Sequence, residues 1–383
     1  MNFYRLGLVC AAMAFLFNAG CAAVKSAPET APAPEKELKA VLYIDAGASG
    51  AGVFKWAQLL AYSPGIKLHL MNAADIRAGK LQGMDMVLLP GGFAPSQYNA
   101  LQEEGAGAIR KFVADGGAYV GTCAGLASTL NDKSRLKLLP FHRLPNTGGK
   151  YGTLLVEINK RGAELLNVKP GKVQVRYAGG PIPTPGAKAH GVNTGETLAV
   201  YKNTVSYFNK PQGNFFNEAA AIYGVHGKGK VIATGFHPES WNSTHNIAMG
   251  CIFAVTGLKT FPVMPRKELR PLRVAFFASW LDRIDHVEAM LRLDKDPRID
   301  IKFVAGQEFN EGDLRHVDVL VIPDCKVARK FFEDEYNASE LAYFVERGGK
   351  IIAAGRSAKA LPENIKAVKV ESNQQLTPEL ICK

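Results

Sequence analysis

Gly117-Ala118-Tyr119-Val120-Gly121-Thr122-Cys123-Ala124-Gly125-Leu126 is the stretch on which the reading of this chain turns. Small and apolar residues with strand character run into Gly121, a cysteine follows two residues later, and Gly125 opens an Ala/Leu-rich segment. This is the glycine-x-nucleophile-x-glycine pattern of a nucleophile elbow, with Cys in the place of Ser. The turn from strand to helix is sharp, so side chains flanking the nucleophile would strike neighbouring backbone, and glycine avoids that. A thiol there faces a helix N-terminus, whose partial positive charge favours thiolate. The same residues also describe a buried structural Cys in a Gly-rich turn, because free Cys packs as a small hydrophobe.

Working outward, apolar runs alternate with helical spacing. Ala40–Ile44, Ile66–Met71, Met86–Leu89 and Ala118–Gly121 read as buried strands, with helices expected over Val53–Tyr62, from Ala73 and over Tyr98–Ala114. Alternation of this kind predicts an α/β doubly wound, flavodoxin-like, mostly parallel sheet. In such sheets the active crevice lies at the carboxyl ends of the strands. Both Gly91-Gly92 and Cys123 fall at such ends. From Gly152 to Gly235 the pattern is richer in strands, the last of them leading into Phe236-His237-Pro238-Glu239-Ser240, and a helix is expected from Asn246 to Thr256.

The chain has 383 residues, 47% hydrophobic and 21% charged, which is ordinary globular composition and fits two domains. A net charge of +11 admits an anionic partner, but Lys and Arg are spread out with no dense basic run, so a basic solvated surface is favoured and nucleic-acid binding is not expected. The N-terminus reads as a processing segment. Arg5 precedes an apolar run from Leu6 to Phe17, too short to span a bilayer, and then comes Asn18-Ala19-Gly20-Cys21. Small residues before a Cys resemble a bacterial lipoprotein signal, so residues 1–20 are expected to be removed and Cys21 lipidated. Asn18 stands where an aliphatic residue is usual, and cleavage by an ordinary signal peptidase is the alternative. Residues 21–37 form a Pro/Ala-rich tether. The expectation is an exported, membrane-anchored protein, periplasmic or on the cell surface, with Ala22 after Cys21 favouring an outer membrane. The remaining cysteines, Cys123, Cys251, Cys325 and Cys382, are too widely spaced for a zinc pattern. No metal or other cofactor is expected, and a disulfide at Cys123 would defeat the catalytic reading.

After a linker at 261–271 the first half returns in degenerate form over 272–383. Val41 corresponds to Val274 and Asp85 to Asp318, each 233 residues apart, and Gly116 to Gly348 at 232. Gly355 takes the place of Cys123 and no His-x-Glu follows, so this copy is expected to serve structure or partner binding.

In the first copy, covering 38–260, the chemistry-bearing residues converge. Cys123 is the candidate nucleophile, His237 the base, and Glu239 the group that fixes the imidazole tautomer and stabilises imidazolium. The backbone N–H groups of Ala124 and of Gly91 or Gly92 are candidate oxyanion donors. A strand-end His and a surface Glu would look the same in sequence. Asp45 and Ser49, after the first strand, are candidates to line the crevice, and a solvated turn fits them equally. Of the other histidines, His245 alone stands near this group in sequence.

Leu89-Pro90-Gly91-Gly92, Gly121-Thr122-Cys123-Ala124-Gly125 and Gly235-Phe236-His237-Pro238-Glu239 resemble the motifs of the class I glutamine amidotransferase-like superfamily. More closely, Tyr43–Ser49, Arg176–Pro181 and Gly227-Lys228-Gly229-Lys230 resemble the N-terminal domain of biotin–protein ligases in its stand-alone bacterial form. The resemblance implies a Cys-His-Glu triad on Cys123, His237 and Glu239, and a place for Tyr177, Gly179 and Gly180 along the crevice. It does not imply biotinylation, because no ligase catalytic domain follows. The function expected is hydrolysis of an amide or peptide through a thioester, by the chain alone or with an envelope protein partner. A catalytically silent envelope binding module and a cysteine peptidase are the alternatives.

Overall fold

The computed structural model describes residues 37–383 except 133–135, 145–150, 186–191, 204–205, 208–209, 212–215, 278–282, 305–312 and 327. The expected signal segment, Cys21 and all of the expected tether but Glu37 lie outside the described residues.

The first four strands are β1 (Leu38–Tyr43), β2 (Ile66–Met71), β3 (Met86–Leu89) and β4 (Ala118–Thr122). They are joined by α1 (Gly50–Ala61), α2 (Ala73–Arg77) and α3 (Ala94–Ala114), and α4 (Ala124–Thr129) follows β4. β5 (Phe141–Arg143) pairs with β8 (Pro183–Pro185), and between them lie β6 (Tyr151–Ile158), α5 (Lys160–Leu166) and β7 (Gly171–Ala178). Then come β9 (Val192–Tyr201), the short pair β10 (Ser206–Tyr207) and β11 (Lys210–Pro211), β12 (Ala219–His226), β13 (Gly229–Thr234) and α6 (His245–Thr256).

One nine-stranded sheet results, in the order β2-β1-β3-β4-β13-β12-β9-β6-β7. From β2 to β13 every neighbour is parallel, and from β13 to β7 every neighbour is antiparallel. The burial of β1, β3 and β4 explains the parallel half, since strands covered by helices on both faces read as continuous apolar runs. Right-handed crossovers require α1 on one face and α2 and α3 on the other. The strand-rich stretch supplies the antiparallel half.

Within that stretch α5 was not expected. Asn159 starts it, its side chain accepting from the Gly162 N–H at 2.7 Å. α3 also begins four residues before the expected Tyr98, with a Pro in its first turn, and it is kinked at Gln102, where φ is 57°.

The second sheet is built from β14 (Leu272–Phe277), β15 (Ile299–Val304), β16 (Val319–Ile322), β17 (Lys350–Ala354) and β18 (Val368–Val370). Its order, β15-β14-β16-β17-β18, all parallel, repeats that of β2-β1-β3-β4-β13. Its helices are α7 (Ile284–Asp294), α8 (Ala328–Phe332), α9 (Glu335–Glu346), α10 (Gly355–Ala360) and α11 (Pro378–Ile381).

Details repeat as well. The Lys39 N–H donates to Asp85 at 2.9 Å and the Arg273 N–H to Asp318 at 2.8 Å. Gly117 and Gly349 each donate to the carbonyl of the Phe five residues earlier. These contacts match Lys39 with Arg273, one residue out of the register read from sequence, so Ala40 rather than Val41 corresponds to Val274. In a buried apolar strand alternation is weak, so composition alone does not fix register. A continuous apolar core runs from the first sheet through α1 and α7 into one face of the second, and a separate cluster fills its other face.

Candidate active site

Cys123 lies between β4 and α4 with φ 52° and ψ −102°. A non-glycine residue held there costs on the order of 1–3 kcal/mol, and the surroundings must impose it. Here the Cys123 N–H donates to Thr234 O at 2.8 Å on β13, and Cys123 O accepts from Ala127 N at 3.0 Å. The glycines leave room for the turn: a Cβ on Gly121 would stand 2.7 Å from the Gly125 backbone, and one on Gly125 would stand 2.1 Å from Leu89 O. Cys123 is a free thiol, 5% exposed.

His237 follows β13 and reaches the thiol from the neighbouring strand end. Its Nδ1 lies 2.8 Å from Oε1 of Glu239, which is fully buried. Its own N–H donates to Arg176 O at 2.9 Å, which ties the edge strand β7 back onto the site. With Nδ1 taken by the carboxylate, Nε2 is buried without a hydrogen-bond partner among the described residues, the thiol's own contact being to Ala178 O at 3.8 Å, and ring and thiol interact as charges. Burial pushes the Cys123 thiol up, but His237 and a hydrogen bond from the Gly92 N–H outweigh it, so its pKa lies below the ordinary 9.0. Burial also opposes charge on His237, yet Glu239 and the Cys123 sulfur raise it from 6.5 to about 10. Thiolate and imidazolium thus stabilise one another at neutral pH.

Gly91 and Gly92 form the facing wall. A Cβ on Gly91 would stand 2.4 Å from His237 Cε1 and 3.4 Å from Cys123 Cβ. Gly92, at φ 142°, has Gly47 O only 1.9 Å from where a Cβ would sit. Its N–H is one of the groups that hold the Cys123 pKa down. Ala124 is the first residue of α4.

The secondary candidates divide. Ser49 sits beside this wall, its N–H donating to Gly91 O at 2.8 Å, and its hydroxyl makes no cap to α1. Asp45 is committed elsewhere: its carboxylate accepts from Ala46 N at 2.7 Å and Ala73 N at 2.9 Å, which fixes the turn after β1. Tyr177 is buried, with its hydroxyl donating to Gly180 O at 2.6 Å and its ring edge-on to Tyr201. Gly180 packs so closely on Gly235 O that a Cβ would stand 2.0 Å away, and Gly179 takes φ 74°. This Tyr177-Ala178-Gly179-Gly180 segment meets the thiol at Ala178, whose O lies 3.8 Å from Sγ.

Several supporting residues were not anticipated. Gln97, fully buried on α3, donates to Pro90 O at 3.0 Å and to Gly47 O at 3.3 Å, holding the glycine wall. Trp56 Nε1 donates to Thr122 Oγ1 at 3.3 Å. His245, by contrast, is the histidine singled out in the sequence, and it bonds Glu239 O through Nε2 at 3.2 Å. A polar residue on the inward stripe of α3 was the available signal for Gln97.

The family model for the N-terminal part of biotin-protein ligase matches residues 81–128. No curated protein matches the chain in sequence. PurLQS from Thermotoga maritima is a similar solved structure, with 17% identity and a TM-score of 0.42, covering 56% of this chain and 98% of that one. A ThuA-like protein from Bacteroides uniformis is another, with 15% identity and a TM-score of 0.41, covering 60% and 97%. Residues 81–128, which hold Gly91, Gly92 and Cys123, match the biotin-protein ligase N-terminal family model, within an α/β fold.

Proposed function

We propose that this chain is a cysteine amidohydrolase working through a thioester. The observation that carries the reading is the buried His237 Nδ1···Glu239 Oε1 contact of 2.8 Å on a ring coupled to a thiol of lowered pKa. The Cys123 thiolate attacks the amide carbonyl carbon and a C–S bond forms. The oxygen takes the negative charge, facing the N–H groups of Gly92 and Ala124. The C–N bond then breaks, and the leaving amine takes its proton from imidazolium His237. Water attacks the thioester, His237 accepts its proton, the C–S bond breaks, and acid and thiolate are released. Glu239 keeps the imidazole oriented throughout.

The lipoprotein-type N-terminus supports export and anchoring through Cys21 to a membrane. Outside the cytoplasm ATP is absent, so free hydrolysis, or chemistry with an envelope protein partner, fits better than transfer of ammonia to a synthetase. One observation favours a second reading, a silent binding module: Cys123 and His237 are only 5% and 8% exposed.

Incubation of the full chain with a panel of small primary amides and peptides, scored by amine release and by mass spectrometry of the acyl-enzyme, separates the two. Amide hydrolysis lost in Cys123→Ala supports the enzyme. An adduct-free, inactive wild type supports the binding module.

A further inference from the structure

α1 touches the candidate site at one end and the C-terminal sheet at the other. The Ser49 N–H, just before it, donates to Gly91 O at 2.8 Å. Gly52 packs beside Glu239, where an added Cβ would stand 3.6 Å from Oε1. One turn further, Trp56 donates to Thr122, the residue before Cys123. One helix thus contacts the glycine wall, the elbow and the carboxylate of the triad.

The C-terminal half of α1 is held from the other side. Gln58 Nε2 and Tyr62 OH both donate to Oδ2 of Asp294 at 2.8 Å. Asp294 is the last residue of α7 and is 4% exposed. Lys267, from the segment joining the two sheets, reaches Asp294 Oδ1 at 3.4 Å. The same segment is pinned to the end of α1, with Val263 N donating to Tyr62 O at 2.8 Å. A buried carboxylate is stable only when its oxygens are matched by donors, so this node holds one arrangement strongly.

We infer that Asp294 is a positioning residue: through Gln58 and Tyr62 it fixes α1, and α1 fixes the Gly91 loop, Thr122 and Glu239 around Cys123. This gives the C-terminal domain a role although Gly355 stands where a nucleophile would be. The chemical consequence rests on the triad reading above; the mechanical one does not.

The test uses the full chain and two readouts, amide hydrogen exchange by peptide and alkylation of Cys123 by iodoacetamide at pH 6. Asp294→Ala speeds exchange in peptides covering 50–62 and 119–126, and slows alkylation about threefold to thirtyfold, the range of coupling through packed elements. Asp294→Asn keeps one acceptor oxygen and recovers part of both. Asp318→Ala cuts the Arg273 pair of the same sheet away from α1 and leaves both unchanged. Faster exchange confined to 50–62, with 119–126 and alkylation as in wild type, overturns the inference. If wild-type Cys123 alkylates as an ordinary thiol, the triad reading fails and the exchange at 119–126 alone decides the positioning. Should Asp294→Ala not fold, Tyr62→Phe and Gln58→Leu remove the donors singly and carry the same comparison.

Discussion

Gly355 carries a backbone φ of 52°, the same value as Cys123. The C-terminal repeat has the same elbow backbone with no thiol on it. In its place Asp324 fills the crevice: its carboxylate accepts from the Arg356 N–H at 3.0 Å and from Arg283 Nη1 at 3.0 Å. Arg356 follows Gly355 as Ala124 follows Cys123, so a donor equivalent to the candidate oxyanion N–H is already occupied by a carboxylate of the chain itself. Arginine on both sides holds Asp324 well below the ordinary carboxylate range against the opposing effect of burial.

Restoring the thiol there does not restore chemistry. A Cβ on Gly355 would stand 2.6 Å from Asp324 Cγ, so Gly355→Cys must displace that carboxylate. The variant loses about 1–3 kcal/mol in denaturant unfolding, the usual cost of overpacking, and gains no thiol that alkylates at pH 6.

At the elbow itself, backbone strain separates two variants that both lack the thiol. Cys123→Gly relieves a conformation that Cys123→Ala retains. The glycine variant is expected to be the more stable of the two by about 1 kcal/mol, measured as a shift in unfolding midpoint.

Gly91→Ala tests the closeness of the wall. Its methyl would stand 2.4 Å from His237 Cε1, and the ring must move. Amide hydrolysis falls by roughly 100-fold or more, because a displaced base no longer meets the thiol, while far-UV circular dichroism is unchanged.

Glu239→Gln keeps the shape of the site and removes its negative charge. Without that charge, His237 loses a main support for its raised pKa. Activity drops about 100-fold to 10,000-fold, the usual share of general acid–base catalysis. The alkaline limb of the pH–rate profile moves to lower pH, because imidazolium then loses its proton earlier.

The parallel half of the first sheet and the convergence of Gly91-Gly92, Cys123 and His237 were legible in the sequence, because strand runs and obligatory glycines are local features. Register of the repeat was legible only to within one residue, since Val41 and its neighbours are apolar on both faces. The antiparallel half read only as a strand-rich stretch, because pairing partners such as β12 and β9 are chosen by tertiary packing. Asp45 read equally as a crevice residue or a turn residue, and its role as a turn brace was not legible because the Ala73 N–H it accepts from lies 28 residues away. Gln97 left one signal, a polar residue on the inward stripe of α3, while Trp56 and Asp294 were invisible for the same reason as Asp45: each acts on a partner distant in sequence, 66 residues for Trp56 and Thr122 and 236 for Gln58 and Asp294.

The alkylation rate of Cys123 as a function of pH tests the central claim most directly. Imidazolium His237 and the Gly92 N–H stabilise the thiolate, so reactivity in wild type rises at a pH below the ordinary 9.0 and holds until His237 deprotonates near 10. His237→Ala removes the imidazolium and leaves burial and the Glu239 charge opposed only by the Gly92 N–H, so the rise moves to higher pH. A wild-type profile rising only above 9.0, unchanged in His237→Ala, would contradict the assignment of Cys123 as an activated nucleophile.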